Sequence, residues 1–208
     1  MEARTEKFWN RTADGYAKKP VPDEAAYRRK LEMTRDHLDR DSRVLEFGCG
    51  TGTTAIHHAP HVRHIDAIDV SARMIEIGRE KAQAAGIGNI AFHQSPISAF
   101  DAPAESYDAV LGMSILHLLP DWRDTVGRVH DLLKPGGTFI SSTMCLDDGF
   151  GLLKYLVPIG QAIGKLPEVA FFSRKTFLEG VRTAGFSIES EWQPKKRSPL
   201  FLIARKTG

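Results

Sequence analysis

The spacing of apolar positions changes period several times along the chain. Tyr27, Leu31, Thr34 and Leu38 recur at helical spacing among Arg, Lys and Glu, which predicts an amphipathic helix starting near Pro22-Asp23. "RVLEF" (Arg43–Phe47) reads as a short strand, and the glycine-rich run "GCGTG" leads from it into a helix reaching about Ala59. "HIDAID" (His64–Asp69) is a second strand. Ser71 can cap a helix over Ala72 to Ala85, with Gly86 as its terminator. "NIAFHQ" (Asn89–Gln94) and "YDAVLGM" (Tyr107–Met113) are the third and fourth strands. Trp122, Val126, Val129 and Leu133 mark one face of a helix stopped by Pro135-Gly136, and "TFISSTM" (Thr138–Met144) is the fifth strand. Ser173 opens another helix, with Phe177, Val181 and Ala184 on one face and Gly185 at its end. "FSIESEW" and "LFLIARK" then form an antiparallel hairpin across a basic turn.

Strand and helix alternate for most of the length. Alternation of this kind requires crossover connections, hence an α/β fold with a mostly parallel sheet covered by helices on both faces. Two segments stand outside it, about 1–40 and about 145–172. Both are expected to lie over the carboxyl edge of the sheet, where ligands bind in such folds. The chain, 1–208, reads as one domain, with a helical cap at its start and a lid insertion near its end.

Composition narrows the picture. The apolar share of 42% supports a real core, and a net charge of +2 leaves no electrostatic footprint for nucleic acid. Two cysteines, Cys49 and Cys145, form neither a disulfide framework nor a metal cluster. His57, His58, His61 and His64 straddle a helix end and Pro60 without a zinc-site pattern, so no metal is expected. "GFGLLKYLVPIGQAIG" is too short and too interrupted, by Lys154 and Pro158, to span a membrane. With no apolar core of signal-peptide length in the first residues, a cytoplasmic location is expected.

The three glycines of the loop admit two readings, a tight strand-to-helix turn or a backbone lying flush against a ligand. Their spacing is Gly48-x-Gly50-x-Gly52 and position 53 is Thr, where the dinucleotide pattern wants its third glycine. That counts against a nicotinamide-dependent oxidoreductase. A P-loop is excluded by the missing Lys-Ser/Thr pair. Asp69 ends the second strand, where a carboxylate can accept both hydroxyls of a ribose. Glu46, just before the glycines, would repel a diphosphate but suits a cationic ligand.

"EFGCGTG", the acidic residue of "AIDVS", "YDAVLGMSILHLL" and "LLKPGG" together resemble the class I S-adenosylmethionine-dependent methyltransferases, in the small-molecule branch. The resemblance implies a Rossmann-like, doubly wound, seven-stranded sheet with an antiparallel last strand. It implies S-adenosyl-L-methionine as cofactor and S-adenosyl-L-homocysteine as product. Gly48, Cys49, Gly50 and Gly52 would then lie along the methionine and ribose, Glu46 would face the amino end, and Asp69 would hold the ribose. Val70 and Met74 would pack on adenine, although Met74 reads equally as a buried helix residue. The family often has an acidic residue after the third strand. "HQSPI" stands there instead, which leaves the adenine amino group to Ser95 or to backbone at Pro96 and Ile97. Met113 and Ser114 complete the cofactor list.

Methyl transfer needs orientation and exclusion of water more than fixed catalytic groups. His117, after the fourth strand, is a candidate general base or a structural histidine. Trp9 and Tyr16 either fold over the cofactor or anchor an N-terminal helix, and Asp14 reads as a solvated cap. In the insertion, Phe150, Leu152, Leu153, Tyr155, Leu156, Val157, Ile159, Phe171 and Phe172 suggest an apolar lid over a small apolar or aromatic acceptor. A dimer contact and a membrane-surface element for a lipid substrate are the other readings of that stretch. The expectation is a monomer or homodimer without stable membrane insertion. A cofactor-binding regulatory protein without catalysis is the alternative function.

Overall fold

The computed structural model describes residues 2–149, 157, 160–161 and 166–207. Seven strands form one sheet in the order β3-β2-β1-β4-β5-β7-β6. They are β1 (Arg43–Phe47), β2 (His64–Asp69), β3 (Ile90–Gln94), β4 (Tyr107–Met113), β5 (Leu133–Thr143), β6 (Phe186–Trp192) and β7 (Leu200–Lys206). Strands β1 to β5 run parallel, and β7 pairs antiparallel with both β5 and β6. The order reverses between β1 and β4, which opens a crevice at their carboxyl ends.

The described helices are α1 (Glu2–Ala17), α2 (Glu24–Arg35), α3 (Thr53–His58), α4 (Ala72–Ala84), α5 (Trp122–Leu132) and α6 (Arg174–Thr183). The expected caps are in place: Asp23 on α2, Ser71 on α4 and Ser173 on α6 each accept a backbone N–H from their own first turn. Alternation along the strands splits the core in two. Leu45, Phe47, Ile68, Val110 and Phe139 face α5 and α6, where Trp122, Val126, Phe177 and Val181 close the first cluster. Val44, Ile65, Ala67, Leu111 and Ile140 meet Ala55 of α3 and Ile75 and Ala82 of α4 in the second.

Three local sequence expectations are corrected. Helix α5 ends at Leu132 rather than at the Pro-Gly pair, and β5 begins at Leu133 rather than Thr138. Tyr107 pairs with Leu133 and Ala109 with Thr138, so 134–137 bulge out of the ladder, where Pro135 needs no N–H partner. Asp108 pins this bulge, accepting Lys134 Nζ at 2.6 Å and the Arg43 backbone N–H at 2.8 Å. Asp14 caps nothing; it lies inside α1 and pairs with Arg73 at 2.7 Å.

The first 40 residues form two helices that contact different elements. Helix α1 packs on α4 through Ala13, Met74 and Ile77, at the crevice. Helix α2 instead bridges other elements, with Tyr27 3.2 Å from Thr54 of α3 and Lys30 Nζ donating to Ser142 of β5 at 2.8 Å. Of the supposed lid, Phe172 is a core residue, packed on Trp122 and Phe177 at 4.9 and 5.5 Å between ring centres. Phe150, Leu152, Leu153, Tyr155, Leu156 and Ile159 lie outside the described residues.

Candidate active site

A cavity of about 520 Å³ opens at the crevice. Its floor is the loop between β1 and α3. Gly48, Gly50 and Gly52 all have positive φ, for two different reasons. A Cβ on Gly48 would lie 2.5 Å from Ile115, and one on Gly52 2.8 Å from Phe92, so packing forbids a side chain there. A Cβ on Gly50 would meet only Tyr16, at 3.8 Å. Gly48 and Gly50 both line the cavity, and of the two only Gly50 has room for a Cβ.

The loop is tied to β2. Gly50 N–H donates to Asp69 Oδ2 at 2.9 Å, and Ser71 N–H to Asp69 Oδ1 at 2.8 Å. Burial raises the Asp69 carboxyl above its ordinary range, and these two N–H groups oppose the shift. Two N–H bonds use about half of a carboxylate's acceptor positions, so lone pairs remain for a ligand's hydroxyls.

Of the residues singled out in the sequence, the structure gathers Tyr16, Gly48, Gly50, Asp69, Val70, Met74, Ser95, Pro96, Ile97, Met113, Ser114 and His117 around this cavity, with Trp9. The hydroxyl of Ser95 donates to the Pro96 carbonyl at 2.9 Å, which leaves its lone pairs as acceptors. Ser114 has φ +59 and donates its N–H to Ser142 at 2.7 Å; this left-handed turn aims Ile115 beneath Gly48.

Three expected residues do not line the wall, and Gly52 is one of them, set against Phe92. Cys49 packs its side chain into the second core cluster, and burial pushes its thiol well up. Glu46 lies below the loop, 2% exposed, with Oε2 unpartnered. Burial chiefly, and the charge of Asp69, push its carboxyl up to about 8 against a hydrogen bond from Ala55 N–H.

His117 lines the cavity from a 3-10 turn, Leu116–Leu118. Its Nδ1 lies 3.3 Å from the Thr143 hydroxyl and accepts Met144 N–H at 3.5 Å. Burial lowers its pKa to about 4.

Sequence reasoning missed Thr5, Phe47, Ser98, Ile115, Leu118, Leu119, Pro120, Asp121, Thr125 and Glu168. Thr5, Trp9 and Tyr16 share one helical face, and so do Asp121 and Thr125; that periodicity was available. No local pattern marks Glu168. Ala170 N–H donates to the His117 carbonyl at 2.8 Å, so this end of the insertion is held against the site by tertiary contact. Charged side chains of the described wall are Asp69, Asp121 and Glu168, all acidic.

Among the described residues no cluster of His, Cys, Asp or Glu is placed to hold a metal ion, and no helix is long and apolar enough to cross a membrane.

A family model described as "Methyltransferase domain" matches residues 44–137, from β1 into the bulge of β5. The uncharacterized methyltransferase YcgJ of Bacillus subtilis is 31% identical over 100 residues, 48% of this chain and 40% of that protein. The sequence match thus spans less than half of YcgJ. Its crystal structure superposes with a TM-score of 0.71, covering 87% of this chain and 99% of that one at 16% identity. A demethylmenaquinone methyltransferase of Geobacillus kaustophilus is 29% identical over 198 residues, 81% of this chain and 82% of that protein. The [4+2]-cyclase SpnF superposes with a TM-score of 0.73 at 19% identity, covering 86% of this chain and 80% of that one, which shows shared fold alone. Domain match and sheet order agree, and together they support a class I S-adenosylmethionine-dependent methyltransferase.

Proposed function

We propose that the protein transfers a methyl group from S-adenosyl-L-methionine to a small apolar or aromatic acceptor. The observation that carries this is one cavity lined both by the Gly50 backbone and Asp69 and by Leu118, Leu119 and Pro120. The residues fit the cofactor. Acidic walls suit a ligand bearing a sulfonium and an ammonium. The buried, unpartnered Glu46 Oε2 is an acceptor without a donor, below the loop where the amino end would lie.

When bound, S-adenosyl-L-methionine supplies a methyl group activated on positively charged sulfur and leaves as S-adenosyl-L-homocysteine. This chain's residues hold and orient. Asp69 would accept the ribose hydroxyls, Val70 and Met74 would flank adenine, and Ser95 to Ile97 would meet its edge. Trp9, Tyr16 and Ile115 exclude water from the cavity. The quinone-related name of the Geobacillus relative supports an aromatic acceptor. The insertion at about 145–172, Phe172 apart, is taken as an apolar lid, and the protein is taken to work as a monomer or homodimer in the cytoplasm.

Calorimetric titration with S-adenosylmethionine, S-adenosylhomocysteine and NADH tests the reading. Micromolar binding of the first two and none of the third is expected; binding of NADH alone would overturn it. A second reading is suggested by SpnF, which carries the name of a cyclase on this fold. Cofactor binding with no methylated product across an acceptor panel would favour that alternative.

A further inference from the structure

One nitrogen of the His117 ring is already assigned by its surroundings. An amide N–H can only donate, so the Nδ1 that receives Met144 N–H carries no proton. The Thr143 hydroxyl, 3.3 Å from the same nitrogen, is then also a donor to it. A neutral imidazole has one ring proton, which is left on Nε2. No bond to Nε2 is found among the described residues, and His117 lines the cavity. Main-chain bonds fix the turn that carries it: Leu118 N–H donates to the Ile115 carbonyl at 2.8 Å, and Ala170 N–H to the His117 carbonyl at 2.8 Å.

We infer that His117 is a hydrogen-bond donor rather than a general base, and that it selects an acceptor carrying a lone-pair oxygen beside the atom to be methylated. Ketone, quinone and phenol-type oxygens are the matching class. This rests on the methyltransferase reading for its biological sense, but the state of the ring does not. Thr143 is a positioning residue: it and the Met144 N–H hold Nδ1 as an acceptor, and so keep the proton on the cavity side. The low basicity that burial imposes on His117 agrees, because the ring stays neutral through the physiological range. A proton released by a hydroxyl acceptor has Asp121 and Glu168 available in the same wall. The oxygen is recognised by a buried donor in a wall that also carries Leu118, Leu119 and Pro120. There an unanswered N–H is costly, so a ligand lacking the oxygen is disfavoured.

The test uses the full chain labelled with 15N-histidine. Long-range 1H–15N spectra, with His117 assigned by its loss in His117→Gln, report the ring state directly. A neutral Nε2–H tautomer from about pH 5.5 to 8.5, with and without S-adenosylhomocysteine, is expected. An Nδ1–H tautomer, or an imidazolium near neutral pH, would overturn the inference.

A second measurement titrates the S-adenosylhomocysteine complex with 2-acetylnaphthalene and with 2-ethylnaphthalene, which share a shape and differ in one carbonyl oxygen. A preference of about three- to tenfold for the ketone is expected in the wild type. It should persist in His117→Gln, which keeps a donor, and vanish in His117→Phe. An equal preference in wild type and His117→Phe refutes the donor role. Failure of S-adenosylhomocysteine to bind at all rejects the methyltransferase reading and leaves the tautomer result standing.

Discussion

The backbone N–H of Gly50 donates to the Asp69 carboxylate at 2.9 Å, joining the loop after β1 to the end of β2. Asp69 is thus both a clamp on the loop and a candidate ribose ligand. Its replacement removes an acceptor from two N–H groups and from the cofactor at once.

For Asp69→Ala, the expected loss of cofactor affinity is about 1.5–3 kcal/mol, the range for hydrogen bonds to a charged group. Isothermal titration with S-adenosylhomocysteine measures it. The melting temperature should fall too, since the Gly50 and Ser71 N–H groups lose their partner. An affinity unchanged within twofold would mean that the ribose lies elsewhere.

The loop glycines should separate by phenotype. Gly50→Ala has room for its methyl and faces only the cost of a left-handed residue, about 1–2 kcal/mol. It is expected to fold and to lose cofactor affinity. Gly48→Ala places its Cβ 2.5 Å from Ile115 and should destabilise more severely. Thermal melts and titration of both variants check this. Equal melting temperatures would refute the division of roles.

Glu46 couples binding to pH. With its carboxyl pushed up to about 8 by burial, it is largely protonated in the free protein at neutral pH. A ligand ammonium nearby favours the ionised form, so binding should release a proton. Affinity for S-adenosylhomocysteine is predicted to rise with pH up to about 8 in the wild type and to stay flat in Glu46→Gln. Calorimetry in buffers of different ionisation enthalpy counts the proton.

His58 sets the acid limit of stability. It is 0% exposed with both ring nitrogens unpartnered, and burial lowers its pKa to about 3. Its folded pKa lies below the unfolded value of about 6.5, so the unfolded chain binds the extra proton. Stability is therefore unaffected above about pH 6.5 and falls as pH drops toward 3, by at most about 1.4 kcal/mol per pH unit from this group. Urea unfolding of wild type and His58→Leu across that range tests it. A parallel pH dependence in the two proteins would show that other groups dominate.

Much of this molecule is legible without coordinates. Period-two runs place the strands, helical spacing places α2, α4, α5 and α6, and Asp23, Ser71 and Ser173 mark helix starts, because caps and alternation are local effects. The glycine loop, Asp69 and the residues after β3 and β4 were legible as a site because each sits at a strand's carboxyl end, and parallel topology brings those ends together. The extent of β5 was not, because Leu133 enters the sheet through pairing with Tyr107 against the local stop signal of Pro135-Gly136.

Tertiary structure alone decided the rest. It put Glu46 beneath the loop, turned Cys49 into the core, and assigned Phe172 to packing on Trp122 rather than to a lid. It set the division among the three glycines, since the atoms that exclude a Cβ come from Ile115 and Phe92, distant in sequence. It also set the Met144 N–H, just after β5, beside Nδ1 of His117. Sequence determines what each residue can do locally, whereas burial, partners and protonation depend on which distant atoms the fold brings beside it.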